Sequence, residues 1–365
     1  MENKYHIELQ EVSLQDAIDN IVFDHDDYGI ASYTMTSFRK RAFISNPNIV
    51  NKSKCMVCLI KANGIYVGRG MQFPILFKAG DVIINGRSGS SLKVHKDYRK
   101  TDAAIDIVMH PIQHKDNNVL IYADFSEDGI NVYKALRFCI FEMQKMVRLN
   151  NFDYIFEKMG CPAWLVKLFS SISNAFLFFV NRIAYRIPKR LKQYEVYEVK
   201  KVPEWIDRIV LSEAKYMEVH DHKWMQWNLD NMFHQHDLNI NRFFIIRKGN
   251  LDVGFFFLKE RYRDFSDRKI SPMLFGYIME WGSTPESNLG EYDIYRLAIP
   301  HFSNKVDAIQ IATSDSRVQK SLNRLFFKNN GLHHIVFKDL TKKFKDAKEP
   351  SLWRLRYGYS DSIFN

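Results

Sequence analysis

Residues 92–104 read LKVHKDYRKTDAA, and the reading of this stretch decides the rest of the chain. Leu92 and Val94 close a strand, and His95 to Asp97 make a polar turn. Tyr98-Arg99 then run into a helix whose apolar residues Ile105, Val108, Met109 and Ile112 recur at i, i+3, i+4 and i+7. A helix opened directly by a strand presents unpaired backbone N–H groups at the positive end of its dipole. Such a turn is a ready anion site, suited to the phosphates of a nucleotide or of coenzyme A.

The order hydrophobic, x, x, x, Tyr-Arg, short turn, helix resembles the acyl-CoA-binding motif of the GNAT N-acyltransferases, which continues Arg, x, x, Gly, x, Gly or Ala. This chain has Arg99, Lys100, Thr101, Asp102, Ala103 and Ala104, so the second small position is kept and the first Gly is Asp102. The resemblance implies that Leu92, Val94, Arg99, Lys100, Thr101, Asp102, Ala103 and Ala104 hold the cofactor, acetyl-CoA or another acyl-CoA. Asp102 opposes a pyrophosphate, since two like charges at 4 Å cost about 1 kcal/mol in water and about 4 kcal/mol at an effective dielectric near 20. Arg99 and Lys100 counter it. On these residues alone, a solvated turn without ligand is the alternative.

Upstream, a strand over Tyr5–Leu9 precedes a helix after Ser13 that carries Ala17, Ile18 and Ile21 on one face, and a basic helix is expected over Ser37–Phe43. Met56–Ala62, the Asn63-Gly64 turn signal and Ile65–Phe77 read as a hairpin, and Asp81–Val94 as the strand leading into the anion-binding turn. That order matches the GNAT order.

Downstream, Val119–Ala123 is a short buried strand. The run Ser126, Gly129, Tyr133, Lys134, Leu136, Arg137, Phe138 resembles the closing GNAT helix motif, with Arg137 in place of its Gly. In that family the Tyr often protonates the departing thiolate of coenzyme A, a role the resemblance gives to Tyr133. The phenol needs help from its position, because its pKa lies near 10 and that of the thiol near 8.5. A ring packed on a helix face is the alternative.

Residues 151–192 read as a helical, basic linker. Ala163–Tyr185 is rich in Leu, Phe and Ile, but its longest uncharged run, Leu168–Asn181, falls short of a span, so no transmembrane helix is expected. Arg182, Arg186, Lys189, Arg190 and Lys192 crowd its end, leaving two options: a connector packed between domains, or an interfacial helix on anionic lipid.

Residues 193–365 resemble a second, diverged GNAT unit. Tyr194–Val199 opens it, KWMQWNL at Lys223–Leu229 resembles a Trp-containing segment of tandem GNAT proteins, and Arg242–Arg247 pairs with Val253–Lys259 across a Lys248-Gly249-Asn250 turn. Met273–Trp281 carries Glu280, and STPESNLGEYDIYRLAI follows where an Arg-x-x-Gly-x-Gly segment would stand. Val306–Ala312 is a buried strand. Gly331-Leu332 stands for the family's Gly-Phe, which makes Phe327 the counterpart of Tyr133 and leaves this half without a proton donor.

At 365 residues, with 46% hydrophobic and 14% aromatic content, the chain is long enough for two packed domains. The net charge of +10 suits an acidic partner: polyanionic cofactor, anionic membrane or nucleic acid. No RNA-recognition, zinc-finger, helix-turn-helix, P-loop or Rossmann signature accompanies it. Cys55 and Cys58 lie in an apolar strand pointing to opposite faces, and they read with Cys139 and Cys161 as core thiols. The pairs His220/His222 and His234/His236 would bind zinc only if they converged, and no metal is expected. MENKYHIELQ lacks the features of a signal peptide, and the expected location is cytoplasmic, with peripheral membrane contact through 163–192 left open.

Acyl transfer to an amine also needs a proton acceptor. No Glu lies on Asp81–Val94, where many family members place one, so the candidates are Asp124, Glu127 and Glu280. The expectation is thus a mixed α/β chain of two tandem GNAT-like domains, 1–150 binding acyl-CoA and 193–365 diverged, joined by 151–192. Its implied activity is N-acyl transfer from acetyl-CoA to a small-molecule amine, such as an amino sugar or a cell-envelope precursor. The alternatives are a GNAT-like binding or scaffold protein without chemistry, and a Fem-like transferase that takes an aminoacyl group from tRNA.

Overall fold

The computed structural model describes residues 6–13, 42–49, 56–114, 118–123, 127–152, 162–233, 236–263 and 272–360. The helix expected after Ser13 lies outside them, as does most of the Ser37–Phe43 helix, of which residues 42 and 43 are helical. The first half contains β1 (Ile7–Ser13), β2 (Met56–Ala62), β3 (Ile65–Ala79), β4 (Val82–Val94), α1 (Asp102–Gln113), β5 (Val119–Ala123), α2 (Glu127–Ala135) and β6 (Cys139–Leu149). α3 (Ala163–Ala184) follows. The second half contains β7 (Tyr194–Val199), α4 (Ile206–Ser212), β8 (Tyr216–Glu218), α5 (His222–Asp230), β9 (Ile240–Lys248), β10 (Leu251–Arg263), β11 (Met273–Ser283), α6 (Glu291–Ala298), β12 (Ala308–Thr313), α7 (Ser316–Asn323) and β13 (Lys328–Asp339).

The strands form one sheet in the order β1-β2-β3-β4-β5-β13-β6-β12-β11-β10-β9-β7, with β8 added beside β3. This order reads the same from both ends if each half's strands are exchanged for the other's. Its centre explains why: β13 pairs with β5 and β6 pairs with β12, all antiparallel, so each half closes on the last strand of the other. The sequence stretches 1–150 and 193–365 are therefore interlocked through their closing strands.

The β2–β3 hairpin forms where expected, because Asn63 (φ 51°) and Gly64 (φ 80°) both take the left-handed conformation that a two-residue hairpin turn demands. Each half also has one parallel pair that stops early. β4 meets β5 only at Arg87–Leu120 and Ser88–Ile121, and β11 meets β12 only from Phe275–Ala308 to Tyr277–Gln310. Beyond those points the strands part.

Helices cover both faces. α4, α5 and the C-terminal residues Trp353, Leu355, Tyr357 and Tyr359 bury one face at the centre of the sheet. On the other face α1 and α2 cover the first half and α6 and α7 the second.

Two readings need correcting. A 3₁₀ turn at Lys96–Tyr98 separates β4 from α1, which starts only at Asp102. Its inward stripe is then Ala103, Ile107 and Val108, and Ile105, expected inside, is 58% exposed. In the second half, α7 ends at Asn323 and Gly331 lies within β13. The Phe138 amide donates to the Tyr133 carbonyl, and the Phe327 amide donates to the Leu322 carbonyl in the same five-residue relation. Phe327 thus corresponds to Phe138, and the counterpart of Tyr133 is Leu322. The second half still has no phenol there.

Candidate active site

The parting of β4 from β5 creates the site. From Gly89 to Val94, β4 has a partner only on its β3 side, and it bulges where Ser91 and Leu92 face Gly70. Its other edge therefore carries backbone groups with no strand partner among the described residues, a template for an extended ligand with amides of its own.

α1 closes one end of this edge. Its N-cap, Thr101, makes no side-chain capping bond to the helix, and its hydroxyl donates to Tyr98 O at 2.7 Å. A helix start without a side-chain cap suits an anion. Arg99 is exposed and its Nε donates back to Val94 O at 3.1 Å, which pins the turn. Lys100 is exposed and Ala103 is buried. Asp102 opens the helix, and burial together with the Asp102 charge pushes the Asp106 carboxyl above its ordinary value. Leu92 is exposed and Val94 buried on β4; the side chain of Ala104 is outside the described residues.

α2 and β5 close the other side with two phenols. Tyr133 is buried, its ring 5.6 Å from Tyr122 and 4.9 Å edge-on to Phe138. Tyr122, which the sequence reading passed over, is enclosed and its hydroxyl has no hydrogen-bond partner among the described residues. Burial pushes that phenol well up, with the neighbouring Tyr133 adding to the shift. Tyr122 lies against Gly89, where any Cβ would come within 2.8 Å of its ring. Glycine is needed there for close approach. Cys58, on β2 beneath, is a core thiol pushed up to about 12 by burial.

The C-terminal segment forms the floor. The Ser88 hydroxyl donates to Ile121 O at 2.8 Å and stands 2.5 Å from Ser360 Oγ, which reaches Gly89 O at 3.3 Å. The Ser360 amide donates to Glu218 Oε2 at 2.9 Å. Glu218 Oε1 lies 3.2 Å from His220 Nε2, without hydrogen-bond alignment, and His220 Nδ1 lies 2.5 Å from Glu280 Oε2. The imidazole is stacked on Trp224 at 3.5 Å. Burial lowers the His220 pKa, but the two carboxylates outweigh it and the net shift is upward.

Glu280 is fully enclosed. Its Oε1 meets Arg354 Nη2 at 2.8 Å and Arg356 Nε at 3.2 Å. Burial raises its pKa, yet Arg354, His220 and Arg356 together bring it down to about 2. Such a carboxylate is a counter-ion and a weak proton acceptor. Asp124 lies outside the described residues, as does the side chain of Glu127. Among the described residues the His pairs form no metal-holding group: His222 bonds Asp207 and His236 stacks on Tyr262, while His234 is outside the described residues.

In the second half the equivalent edge is taken. The Gly358 amide donates to Met279 O at 3.0 Å, and Arg354 Nη2 and Arg356 Nε donate to Trp281 O at 3.0 and 3.3 Å. The Arg356 guanidinium also lies 3.6 Å over the Trp281 ring. The first turn of α6 is acidic, with Asp293 Oδ2 3.5 Å from Gly290 N and bonded to Arg190. Among the described residues no second strand pairs with the first edge, whereas residues 354–358 fill its twin.

No family model matches the chain, and no curated protein matches it in sequence. Solved structures do match. Saccharomyces cerevisiae N-myristoyltransferase with bound myristoyl-CoA matches over 91% of this chain and 79% of its own, with a TM-score of 0.57 at 12% identity. A GCN5-related N-acetyltransferase from Anabaena variabilis matches over 92% and 73%, with a TM-score of 0.56 at 9% identity. A probable N-acyltransferase from Enterococcus faecalis matches over 92% and 73%, with a TM-score of 0.55 at 10% identity. The fold is that of the GNAT N-acyltransferases in tandem form, as the motifs at Leu92–Ala104 and Ser126–Phe138 led us to expect.

Proposed function

We propose that the protein is an N-acyltransferase that holds an acyl-CoA, acetyl-CoA in the simplest case, in the cleft between β4 and β5 and passes the acyl group to a small-molecule amine. The observation that carries this reading is the asymmetry of the two clefts: among the described residues Gly89–Val94 has no second strand partner and runs to a helix N-terminus without a side-chain cap, while the matching edge at Met279–Trp281 is bonded to residues 354–358. The residues fit such a cofactor. The strand edge suits a chain of amides, the first turn of α1 suits phosphate, and the Tyr122 hydroxyl, without a partner among the described residues, is a donor at the fork. Asp102 opposes it.

Acyl-CoA supplies a thioester. When the amine nitrogen bonds to its carbonyl carbon, the carbon–sulfur bond breaks, the thiolate needs a proton and the ammonium must lose one. Tyr133 and Tyr122 stand on the β5 and α2 side as donors to the thiolate. Backbone N–H groups of β4 would be the donors to the carbonyl oxygen as charge develops there. Glu218, tied to the fork through Ser360, would receive the ammonium proton, with His220 behind it. Glu280 holds Arg354 and His220 in position.

Calorimetry with acetyl-CoA tests the reading. One site per chain and a raised unfolding temperature are expected, since a ligand that binds the native state must stabilise it. No heat and no shift at millimolar acetyl-CoA, with longer acyl-CoAs also silent, would leave a binding protein without this chemistry, the reading that Asp102 favours.

A further inference from the structure

α3 is an amphipathic helix turned inside out. Ser170, Leu177 and Val180 are buried and Ser173, Asn174 and Asn181 half-buried, so much of the stripe against the protein is polar. It is tied down: Asn174 accepts from Phe152 N at 3.0 Å and donates to Asn151 Oδ1 at 3.3 Å, and Asn181 accepts from the buried Arg148. The outward side carries Trp164, Ile172, Phe176, Phe178 and Phe179, each 60–68% exposed. A helix facing water is expected to show the reverse pattern.

By length and composition α3 could cross a membrane, contrary to the expectation drawn from its uncharged run; Lys167 lies on its exposed side. Its bonds to residues 148–152 at Asn174 and Asn181, however, keep one side against the protein, so only the outward side can meet lipid. Charge identifies which lipid. Residues 163–192 contain six Lys and Arg and no Asp or Glu, and Arg182, Arg186, Lys189 and Lys192 are exposed just beyond the apolar side.

We propose that α3 docks the protein flat on an anionic bilayer, with Trp164, Ile172, Phe176 and Phe179 in the headgroup–acyl boundary and the following basic residues on the lipid phosphates. Lys167 reaches the interface along its own stem. Apolar insertion and basic attraction are each weak alone and suffice together. The proposal is independent of the chemistry in the cleft.

Flotation of the full chain with vesicles tests it. The chain should float with phosphatidylcholine vesicles containing 30% phosphatidylglycerol, about tenfold less in 0.5 M salt, and little with pure phosphatidylcholine. The F176S/F179S variant should lose about 100-fold in partitioning with an unchanged circular dichroism spectrum. Depth-dependent quenching by brominated lipids should place Trp164 and, in W164F/F179W, the indole at position 179 at the same shallow depth; this readout does not need the serine variant to fold. Absence from anionic vesicles would overturn the proposal, as would equal binding to neutral ones. A self-association abolished by F176S/F179S without flotation would assign the face to a second copy, and depths differing by ~20 Å would mean a crossing helix.

Discussion

The Gly358 amide donates to the Met279 carbonyl at 3.0 Å, which sets the chain's own C-terminal segment against the strand that matches β4. Arg354 and Arg356 fix it there through Trp281 O, Glu280 and Glu213. A ligand cannot use that edge without evicting a buried, ion-paired segment. The first-half edge has no such occupant among the described residues.

If the first half alone works on acyl-CoA, the two ends of its cleft should fail differently. Tyr133→Phe keeps the ring packing against Tyr122 and Phe138, so the loss reports the hydroxyl: about 10²-fold in turnover with acetyl-CoA affinity nearly unchanged. Arg99→Ala should weaken acetyl-CoA about tenfold with a smaller effect on turnover. Steady-state kinetics paired with calorimetry reads both. Equal loss of binding in the two variants would make Tyr133 a packing residue.

Gly89→Ala should damage the fork directly. The new methyl would come within 2.8 Å of the Tyr122 ring, and overpacking of this kind costs about 1–3 kcal/mol. Urea unfolding measures the cost. Unchanged stability would show that the Tyr122 ring moves aside freely.

Arg137 stands at the Gly position of the motif that this helix resembles, and its φ of 57° is the left-handed value that glycine adopts without cost. Arg137→Gly should therefore stabilise the chain by up to about 1 kcal/mol. The Lys338 contacts to the carbonyls of Leu136 and Arg137 survive the change. A lower midpoint in chemical denaturation would mean that the Arg137 side chain contributes more than its backbone strain costs.

The buried ion network makes stability pH-dependent in both directions. The Glu280 pKa falls from 4.5 to about 2 on folding, so its contribution is complete above 4.5 and is lost as pH falls toward 2. The His220 pKa rises from 6.5, so its contribution is complete below 6.5 and is lost as pH climbs through the raised value. The thermal midpoint should peak between these limits. Glu280→Gln should flatten the acid limb and cost about 3–5 kcal/mol, because Arg354 keeps its charge in a buried place. An unchanged acid limb would exclude Glu280 as its cause.

Local patterning was legible and long-range exchange was not. The hairpin at Asn63-Gly64, the strand Val119–Ala123 and the helix after Ser126 follow from turn chemistry and periodicity, and they carried the fold class. The swap of β6 and β13 leaves no local mark, since a closing strand looks the same whichever half it joins. The Tyr133 counterpart was misplaced because Gly331 looked like a helix end, whereas the chain turns at Phe326 with φ 66° despite its side chain. The floor of the site had a readable signal: Trp353, Leu355, Tyr357 and Tyr359 alternate with Arg354 and Arg356, a period-2 pattern of a segment buried on both sides. The ion network around Glu218 and His220 has no local signal, because it forms where segments far apart in sequence meet.

Hydrogen–deuterium exchange with and without saturating acetyl-CoA tests the asymmetry of the clefts most directly. Protection is predicted at Gly89–Val94 and in the first turn of α1, with exchange at Met279–Ser283 and residues 353–360 unchanged. Protection at Met279–Ser283 instead, or none at Gly89–Val94 with ligand bound, would contradict it.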